Sequence, residues 1–206
     1  KEHTNMKIGI DIDDTISASF EELFIHSQNF DIDVVGAEGI PTNYGKIDNH
    51  NYIETMYPHW TKQQVETFWK KYFMEVLTNA NPKPYCAEII KKLKNEGNTI
   101  ILITSRYEII EGKKLVENAT KQWLEKHNIL YNKLIMNAKD KSIVAEQENI
   151  DLLIDDSIVH CLSVAKKNIK TFLYTTVCNQ GCEVLNLERV YSWPQIYKKY
   201  QGSKIK

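Results

Sequence analysis

Several things are missing from this 206-residue chain, and each absence narrows the reading. No apolar run approaches the roughly 20 residues that a bilayer-spanning helix needs, so no membrane partner is expected. Charge of one sign is not in excess. Lys and Arg number 26 and Asp and Glu 27, for a net charge of −1, with no long run of either sign. Duplex nucleic acid normally calls for a basic face, so it is not expected as the main partner. A local basic pocket for one phosphate fits the same balance. Cysteine is scarce, and of Cys86, Cys161, Cys178 and Cys182 only the last two stand close together, in CNQGC. No second Cys/His pair sits at ligand spacing, so all four are read as reduced thiols of a cytoplasmic protein. The polar opening KEHTN runs into a strand-like segment and lacks the apolar region of an export signal, with Met6 read as the natural start. No glycine-rich nucleotide loop, HExxH or GxSxG is present, which removes P-loop, zinc-protease and serine-hydrolase readings. Internal repeats and low-complexity tracts are absent too.

What is present is enough apolar residue, 42%, for a sizeable core. The second half alternates. NTIILIT (Asn98 to Thr104), NKLIM (Asn132 to Met136), IDLLI (Ile150 to Ile154) and KTFLY (Lys170 to Tyr174) are short apolar runs that read as buried strands. Helical periods lie between them. PYCAEIIKKLKNEG places Tyr85, Ile89, Ile90 and Leu93 on one face and stops at Gly97, and residues 112–127, 140–148 and 157–167 look similar. Strands alternating with helices predict an α/β fold, a Rossmann-like three-layer core with a parallel sheet. Residues 17–82 break the alternation. SASFEELFIHSQNF looks helical, residues 31–52 look loop-rich, and a second helix opens at Thr61 with Gln64 three residues on, a capping-box spacing. The expected organisation is a catalytic core of residues 1–16 and 83–206 with a small, mainly helical cap of residues 17–82 inserted after the first strand.

Ligands of parallel sheets bind beyond the carboxyl ends of the strands, and there the polar residues gather. Asp11, Asp13 and Asp14 follow the run Ile8 to Ile10, Thr104 and Ser105 follow the second strand, and Asp155 and Asp156 follow the fourth. Carboxylates so placed repel one another unless a hard divalent cation sits among them, and Mg²⁺ takes such oxygen ligands while keeping water and phosphate. One of these carboxylates can also be a nucleophile. Each residue has a plainer alternative. Asp11 and Asp13 could form an Asx turn, Thr104 a helix cap, and Asp155 and Asp156 caps of a helix beginning near Ser157. Lys141 competes with Lys139. Arg106 could reach an anion, stand as a solvated loop arginine or sit in a structural ion pair. The aromatic group Phe68, Trp69, Tyr72 and Phe73 reads either as a packing stripe or as a platform for a base.

Taken together, DIDDT, the strand IILIT ending on Thr104, Lys141 in KDKS, and LLIDDS with Asp155 and Asp156 resemble the four motifs of the haloacid dehalogenase superfamily, in its order. GIDIDDTI, ILITSR and YSWPQIYK narrow the resemblance to the 5′(3′)-deoxyribonucleotidase branch and its bacterial nucleotidase relatives. Two departures stand out: Asp14 occupies a position usually held by Gly, and the insertion shows no clear match to the branch's base-binding residues. The resemblance implies a Mg²⁺-dependent phosphomonoesterase. Asp11 would attack phosphorus and form an aspartyl-phosphate. Asp13 would protonate the leaving oxygen, then deprotonate the hydrolytic water. Mg²⁺ would be held by Asp11, Asp156 and the backbone carbonyl of Asp13, with Asp155 in support. Thr104, the Ser105 amide and Lys141 would bind the phosphate. Arg106, Phe20 and Trp69 are candidates for contact with the rest of the substrate. That partner is expected to be a small phosphorylated metabolite, a nucleoside or deoxynucleoside monophosphate, with a sugar phosphate or other small metabolite as the alternative. A phosphotransferase would use the same residues. A binding protein without catalysis is disfavoured, because it has no need of Asp13. The sequence carries no reading of oligomeric state.

Overall fold

The structure, a computed structural model, describes residues 5–47, 51–109 and 112–203, so most of the leader KEHTN lies outside it. Six strands form one all-parallel sheet in the order β3-β2-β1-β4-β5-β6. They are β1 (Lys7–Ile10), β2 (Thr99–Ile103), β3 (Lys133–Ile135), β4 (Leu152–Asp155), β5 (Lys170–Tyr174) and β6 (Glu188–Val190). β1 lies between β2 and β4 and is covered on both faces, which is why its run is apolar without alternation. Gly9 is needed there. A Cβ at that position would meet side-chain methyls of Ile103, Leu153 and Ile150 at 3.1–3.3 Å.

Successive strand residues feed opposite faces. Ile8, Ile10, Ile100, Leu102, Leu152 and Ile154 pack beneath α4 (Cys86–Asn95), α5 (Leu115–Lys126) and α8 (Trp193–Ser203). Ile101, Ile103 and Leu153 pack against Ala145 of α6 (Lys141–Glu148) and Val164 of α7 (Ile158–Ala165). The expected three-layer α/β architecture is the observed one. Two details differ. Tyr85 is 63% exposed, because it precedes α4 in a left-handed conformation (φ 65°) and so falls off the helical period of Ile89, Ile90 and Leu93. β6 and α8 were not foreseen as elements. β6 is only three residues long, and α8 buries Trp193, Ile196 and Tyr200 behind β1.

Between β1 and α4 lie α1 (Ser19–Phe30), which runs on as a π-helical turn at Asp31–Val35, then α2 (Tyr52–Met56) and α3 (Lys62–Asn79). α3 opens on the capping box anticipated from Thr61 and Gln64: the Gln64 amide donates to Thr61 Oγ1, and the Thr61 amide donates to Gln64 Oε1 at 2.8 Å. These helices enclose an apolar cluster of their own, including Phe20, Leu23, Phe30, Ile53, Tyr57, Trp60, Phe68 and Cys178. The chain enters and leaves this region side by side, with the Ala18 amide donating to Asn81 O and the Lys83 amide to Ile16 O, both at 2.8 Å. Among the described residues no helix is long and apolar enough to cross a membrane. No disulfide joins any of the four cysteines.

Candidate active site

The carboxyl ends of β1 and β4 are stitched together by the Asp11 amide, which donates to Ile154 O at 2.9 Å. Asp11 leaves β1, Asp155 closes β4 and Asp156 follows it, and all three are buried. One carboxylate oxygen from each lies within 4.8 Å of the others, and among the described residues this is the one group of His, Cys, Asp and Glu side chains placed to hold a metal. Lys141, the first residue of α6, is 1% exposed and sends its ammonium between two of the acids. Its Nζ donates to Asp11 Oδ1, and to Asp155 Oδ2 at 2.7 Å. The other oxygen of Asp155 accepts the Ser157 amide at 2.8 Å, so Asp155 braces the start of α7, whose cap is the Ser157 hydroxyl accepting the His160 amide at 3.3 Å. Behind this cluster the Thr15 hydroxyl lies 3.5 Å from Asp11 Oδ2 and 3.3 Å from Asp156 Oδ1. Thr15 is itself pinned by the Trp193 indole, which donates to its carbonyl at 3.0 Å.

The electrostatics follow from burial. Loss of water pushes the Asp11 carboxyl up to about 8, against the pull of Lys141 and with the push of Asp155 and Asp13. Asp156 is driven up by burial and then by Asp14, Asp11 and Asp155. Burial works to lower the Lys141 ammonium, but Asp11 and Asp155 outweigh it and hold the ammonium charged above the usual lysine range. One buried ammonium thus faces Asp11, Asp155 and Asp156. The donor set is all oxygen, close together and under-compensated, which suits a hard divalent cation that keeps part of its water shell.

At the end of β2, Thr104 is fully buried and its Oγ1 accepts the Arg106 amide at 3.1 Å. The Ser105 hydroxyl donates to Ala138 O at 3.1 Å and lies 3.3 Å from His160 Nε2. With its proton so engaged, that hydroxyl fixes the loop, and a phosphate-binding role for Ser105 rests on its amide. Of the roles weighed for Arg106, the solvated loop is excluded and the ion pair is the one seen. Its Nε donates to Asp13 Oδ2 at 2.9 Å, its Nη2 to Asp13 Oδ1 at 2.7 Å and its Nη1 to Thr120 Oγ1 at 3.0 Å. Asp13 also accepts from Ser19 Oγ at 2.6 Å. Burial would raise the Asp13 carboxyl, but the Arg106 guanidinium and these hydrogen bonds prevail and hold it below the usual carboxylate range.

The other named residues separate. Phe20 opens α1 beside the acids: its amide donates to Asp14 Oδ1 at 2.9 Å and its ring centroid lies 6.3 Å from that of Tyr52. Trp69 is half-buried on α3, packed on the apolar cluster of the insertion between Phe68 (5.4 Å) and Phe73 (6.3 Å). Tyr52 was missed. Burial first, then Asp156, Asp14 and Asp11, raise its phenol well above the usual range, which makes it a neighbour of the acidic cluster. A lone tyrosine in a loop-rich segment carries no motif, and nothing in the sequence could have flagged it.

No family model matches the chain. A Bacillus cereus protein named "Putative nucleotidase" is 25% identical over 196 residues, which cover 93% of this chain and 96% of that protein. Among solved structures, a haloacid dehalogenase-like hydrolase from Streptococcus pneumoniae aligns with a TM-score of 0.67 at 12% identity, over 96% of this chain and 99% of that one. The chain has the haloacid dehalogenase fold. A "predicted phosphoglycolate phosphatase" from Haemophilus somnus aligns with a TM-score of 0.66 at 12% identity, over 98% of this chain and all of that one. A "predicted phosphatase" from Clostridium acetobutylicum gives 0.66 at 14%, over 97% and 100%. The resemblance carried by DIDDT, IILIT, KDKS and LLIDDS in the sequence is thus met by the fold. On this haloacid dehalogenase fold the four segments fall at the end of β1, the end of β2, the start of α6 and the end of β4.

Proposed function

We propose that the protein is a haloacid dehalogenase phosphomonoesterase that acts through an aspartyl-phosphate on Asp11, with a nucleoside or deoxynucleoside monophosphate as substrate. The observation that carries this reading is the buried arrangement of Asp11, Asp155, Asp156 and Lys141 at adjoining strand ends. In this reading Asp11 attacks phosphorus, and the bond from phosphorus to the ester oxygen breaks as Asp13, protonated beforehand at the Oδ2 position that Arg106 and Ser19 leave open, gives that oxygen a proton. Water then attacks the phosphoryl group and loses its proton to Asp13, and the bond to Asp11 breaks to release inorganic phosphate. Thr104 and the Ser105 amide hold phosphate oxygens, and Lys141 offsets charge on both the nucleophile and the phosphoryl group. Asp11, Asp156 and the Asp13 carbonyl would hold Mg²⁺, with Asp155 beside them. That ion would supply further charge neutralisation and orientation of the phosphate.

Two observations support the nucleotide: the printed name of the Bacillus cereus relative, and the partly buried ring of Tyr52 beside the acids. A second reading, a phosphatase of a small non-nucleotide metabolite, draws on the names of the fold neighbours. Release of inorganic phosphate, followed with Mg²⁺ over nucleotides, deoxynucleotides, sugar phosphates and phosphoglycolate, tests both. The expected result is a kcat/KM for one nucleoside monophosphate at least tenfold above that for any other class. A preference for phosphoglycolate or a sugar phosphate would move the assignment to the second reading. No release from any of them would remove the phosphatase.

A further inference from the structure

Arg106 and Asp13 stand 93 residues apart in sequence, yet they meet in a two-point pair. The guanidinium is 2% exposed, whereas the Asp13 side chain is one-third exposed toward the site. Three groups hold the arginine from behind. Thr120 of α5 takes Nη1, Thr104 Oγ1 takes its amide, and its carbonyl accepts the Asn137 amide at 2.8 Å. The arginine is thereby anchored on its buried side, and Asp13 is held against it.

An ionised carboxylate offers about four acceptor positions, two on each oxygen. On Asp13, Oδ1 takes both Arg106 Nη2 and Ser19 Oγ, which fills it, while Oδ2 takes only Arg106 Nε. We propose that Arg106 is a positioning residue that clamps Asp13 so that a single acceptor position, on Oδ2, exchanges the proton of the reaction. The inference rests on the aspartyl-phosphate reading above. Asp13 clamped in this way is best prepared for the second half-reaction, where Oδ2 takes a proton from the water that attacks phosphorus while the bond to Asp11 Oδ breaks. A substrate whose leaving group departs without a proton isolates that step. p-Nitrophenyl phosphate is such a substrate, since p-nitrophenolate leaves as the anion.

The test uses the full chain with Mg²⁺ and p-nitrophenyl phosphate, followed in the first turnover and in the steady state. Arg106→Gln is expected to release about one p-nitrophenolate per protein in a burst and then turn over about tenfold more slowly, less than the roughly 10²–10⁴-fold that outright loss of a general base costs. The acid-quenched protein should carry a covalent phosphoryl group on Asp11 in greater amount than wild type. The inhibition constant of inorganic phosphate should stay within about twofold, because the variant keeps its phosphate contacts. Arg106→Lys, which retains charge but cannot bridge both oxygens, should fall between wild type and Arg106→Gln. Thr120→Val frees only Nη1 and should show the same burst at smaller size, and it decides the matter if Arg106→Gln does not fold. A rise in KM and in the phosphate inhibition constant without a burst would make Arg106 a substrate contact and overturn the proposal. Equal loss of both steps with a lowered melting temperature would overturn it in favour of a purely structural pair, as would a Thr120→Val protein with wild-type turnover and no burst. A wild-type enzyme that hydrolyses the ester but never carries label on Asp11 would remove the aspartyl-phosphate itself, and the clamp with it.

Discussion

The Phe20 amide donates to Asp14 Oδ1 at 2.9 Å, so one carboxylate ties the first residues of α1 to the loop that carries Asp11 and Asp13. Asp14 sits at φ 58°, in the left-handed region where a Cβ is disfavoured and where Gly, Asn and Asp are best tolerated. The backbone there would suit glycine, and the hydrogen bond to Phe20 accounts for the aspartate found instead. Two variants separate the two contributions. Asp14→Gly keeps the backbone conformation but leaves the Phe20 amide without this acceptor, a loss of about 1–3 kcal/mol. Asp14→Ala loses the same bond and adds the left-handed cost of roughly 1–2 kcal/mol. Urea unfolding should rank wild type above Asp14→Gly and Asp14→Gly above Asp14→Ala. Equal stability of the two variants would show that the backbone conformation there carries no strain.

The insertion depends on a second buried carboxylate. Asp31 accepts the Trp60 indole at 2.6 Å, His59 Nε2 at 2.7 Å and the Gly39 amide at 2.8 Å. Burial alone would raise its carboxyl, but these donors outweigh burial and hold it below the usual carboxylate range. A depressed folded value contributes stability that is present above the unfolded value of about 3.9 and is lost as pH falls through the folded one. Asp31→Asn should therefore be less stable than wild type at pH 7, by about 1.5–3 kcal/mol for charge-assisted bonds. The gap should narrow below about pH 4. Denaturant curves at pH 7 and pH 3.5 check both parts. A gap that is constant with pH would mean that the charge on Asp31 contributes nothing.

Much of this molecule can be read from its residues alone, for a physical reason. β1, β2, β4 and β5 are covered on both faces, so each appears as an uninterrupted apolar run. β6 is recognisable only by its backbone pairing with β5: its sequence is Glu, Arg and Val, and three residues show no period. At the site, Asp11, Lys141, Asp155 and Asp156 stand in local motifs that parallel-sheet topology brings to one edge. The clamp of Asp13 by Arg106 was not legible, because it depends on Thr120 and Ser19, which the fold alone brings close. Trp193 under Thr15 is another such case: its partner lies 178 residues away.

The acidic cluster predicts a response to metal that does not need an activity assay. Asp11, Asp155 and Asp156 are buried and compensated by Lys141 alone among the groups they bond. A cation bound by the folded protein only should stabilise it, by about 2.7 kcal/mol at a hundred times its dissociation constant. Mg²⁺ should therefore raise the melting temperature of the chelator-treated protein. Asp156→Asn, which removes one donor and one charge, should lose most of that rise while remaining folded. Phosphate release should disappear with exhaustive chelation and return with Mg²⁺. An unchanged melting temperature in wild type, with metal analysis confirming occupancy of the solution and not of the protein, would count against a cation at these carboxylates.

Trp69 and Tyr52 make opposite predictions. Trp69 packs on Phe68 and Phe73 within the aromatic cluster of the insertion, so its ring is spent on stability. Tyr52 stands beside Phe20, whose amide reaches Asp14, and its phenol feels Asp11, Asp14 and Asp156. A planar base held near the acids would meet the partly buried ring of Tyr52, since the Phe20 ring is buried in the apolar cluster. Aromatic faces stabilise a stacked base by roughly 1–3 kcal/mol, so Tyr52→Ala should raise KM for a nucleoside monophosphate by about fivefold to a hundredfold. Hydrolysis of a sugar phosphate, which offers no aromatic ring to stack, should keep its KM within about twofold. Trp69→Ala should lower the melting temperature, through loss of a half-buried aromatic side chain, and reduce both activities alike in proportion to the folded fraction. Both variants are assayed with both substrates beside a thermal melt. If Trp69→Ala selectively raised the nucleotide KM while Tyr52→Ala merely destabilised the protein, the base would lie on the α3 side, and the aromatic face of the site would have to be redrawn around Trp69, Phe73 and Tyr107, whose rings follow one another at 6.3 and 6.1 Å.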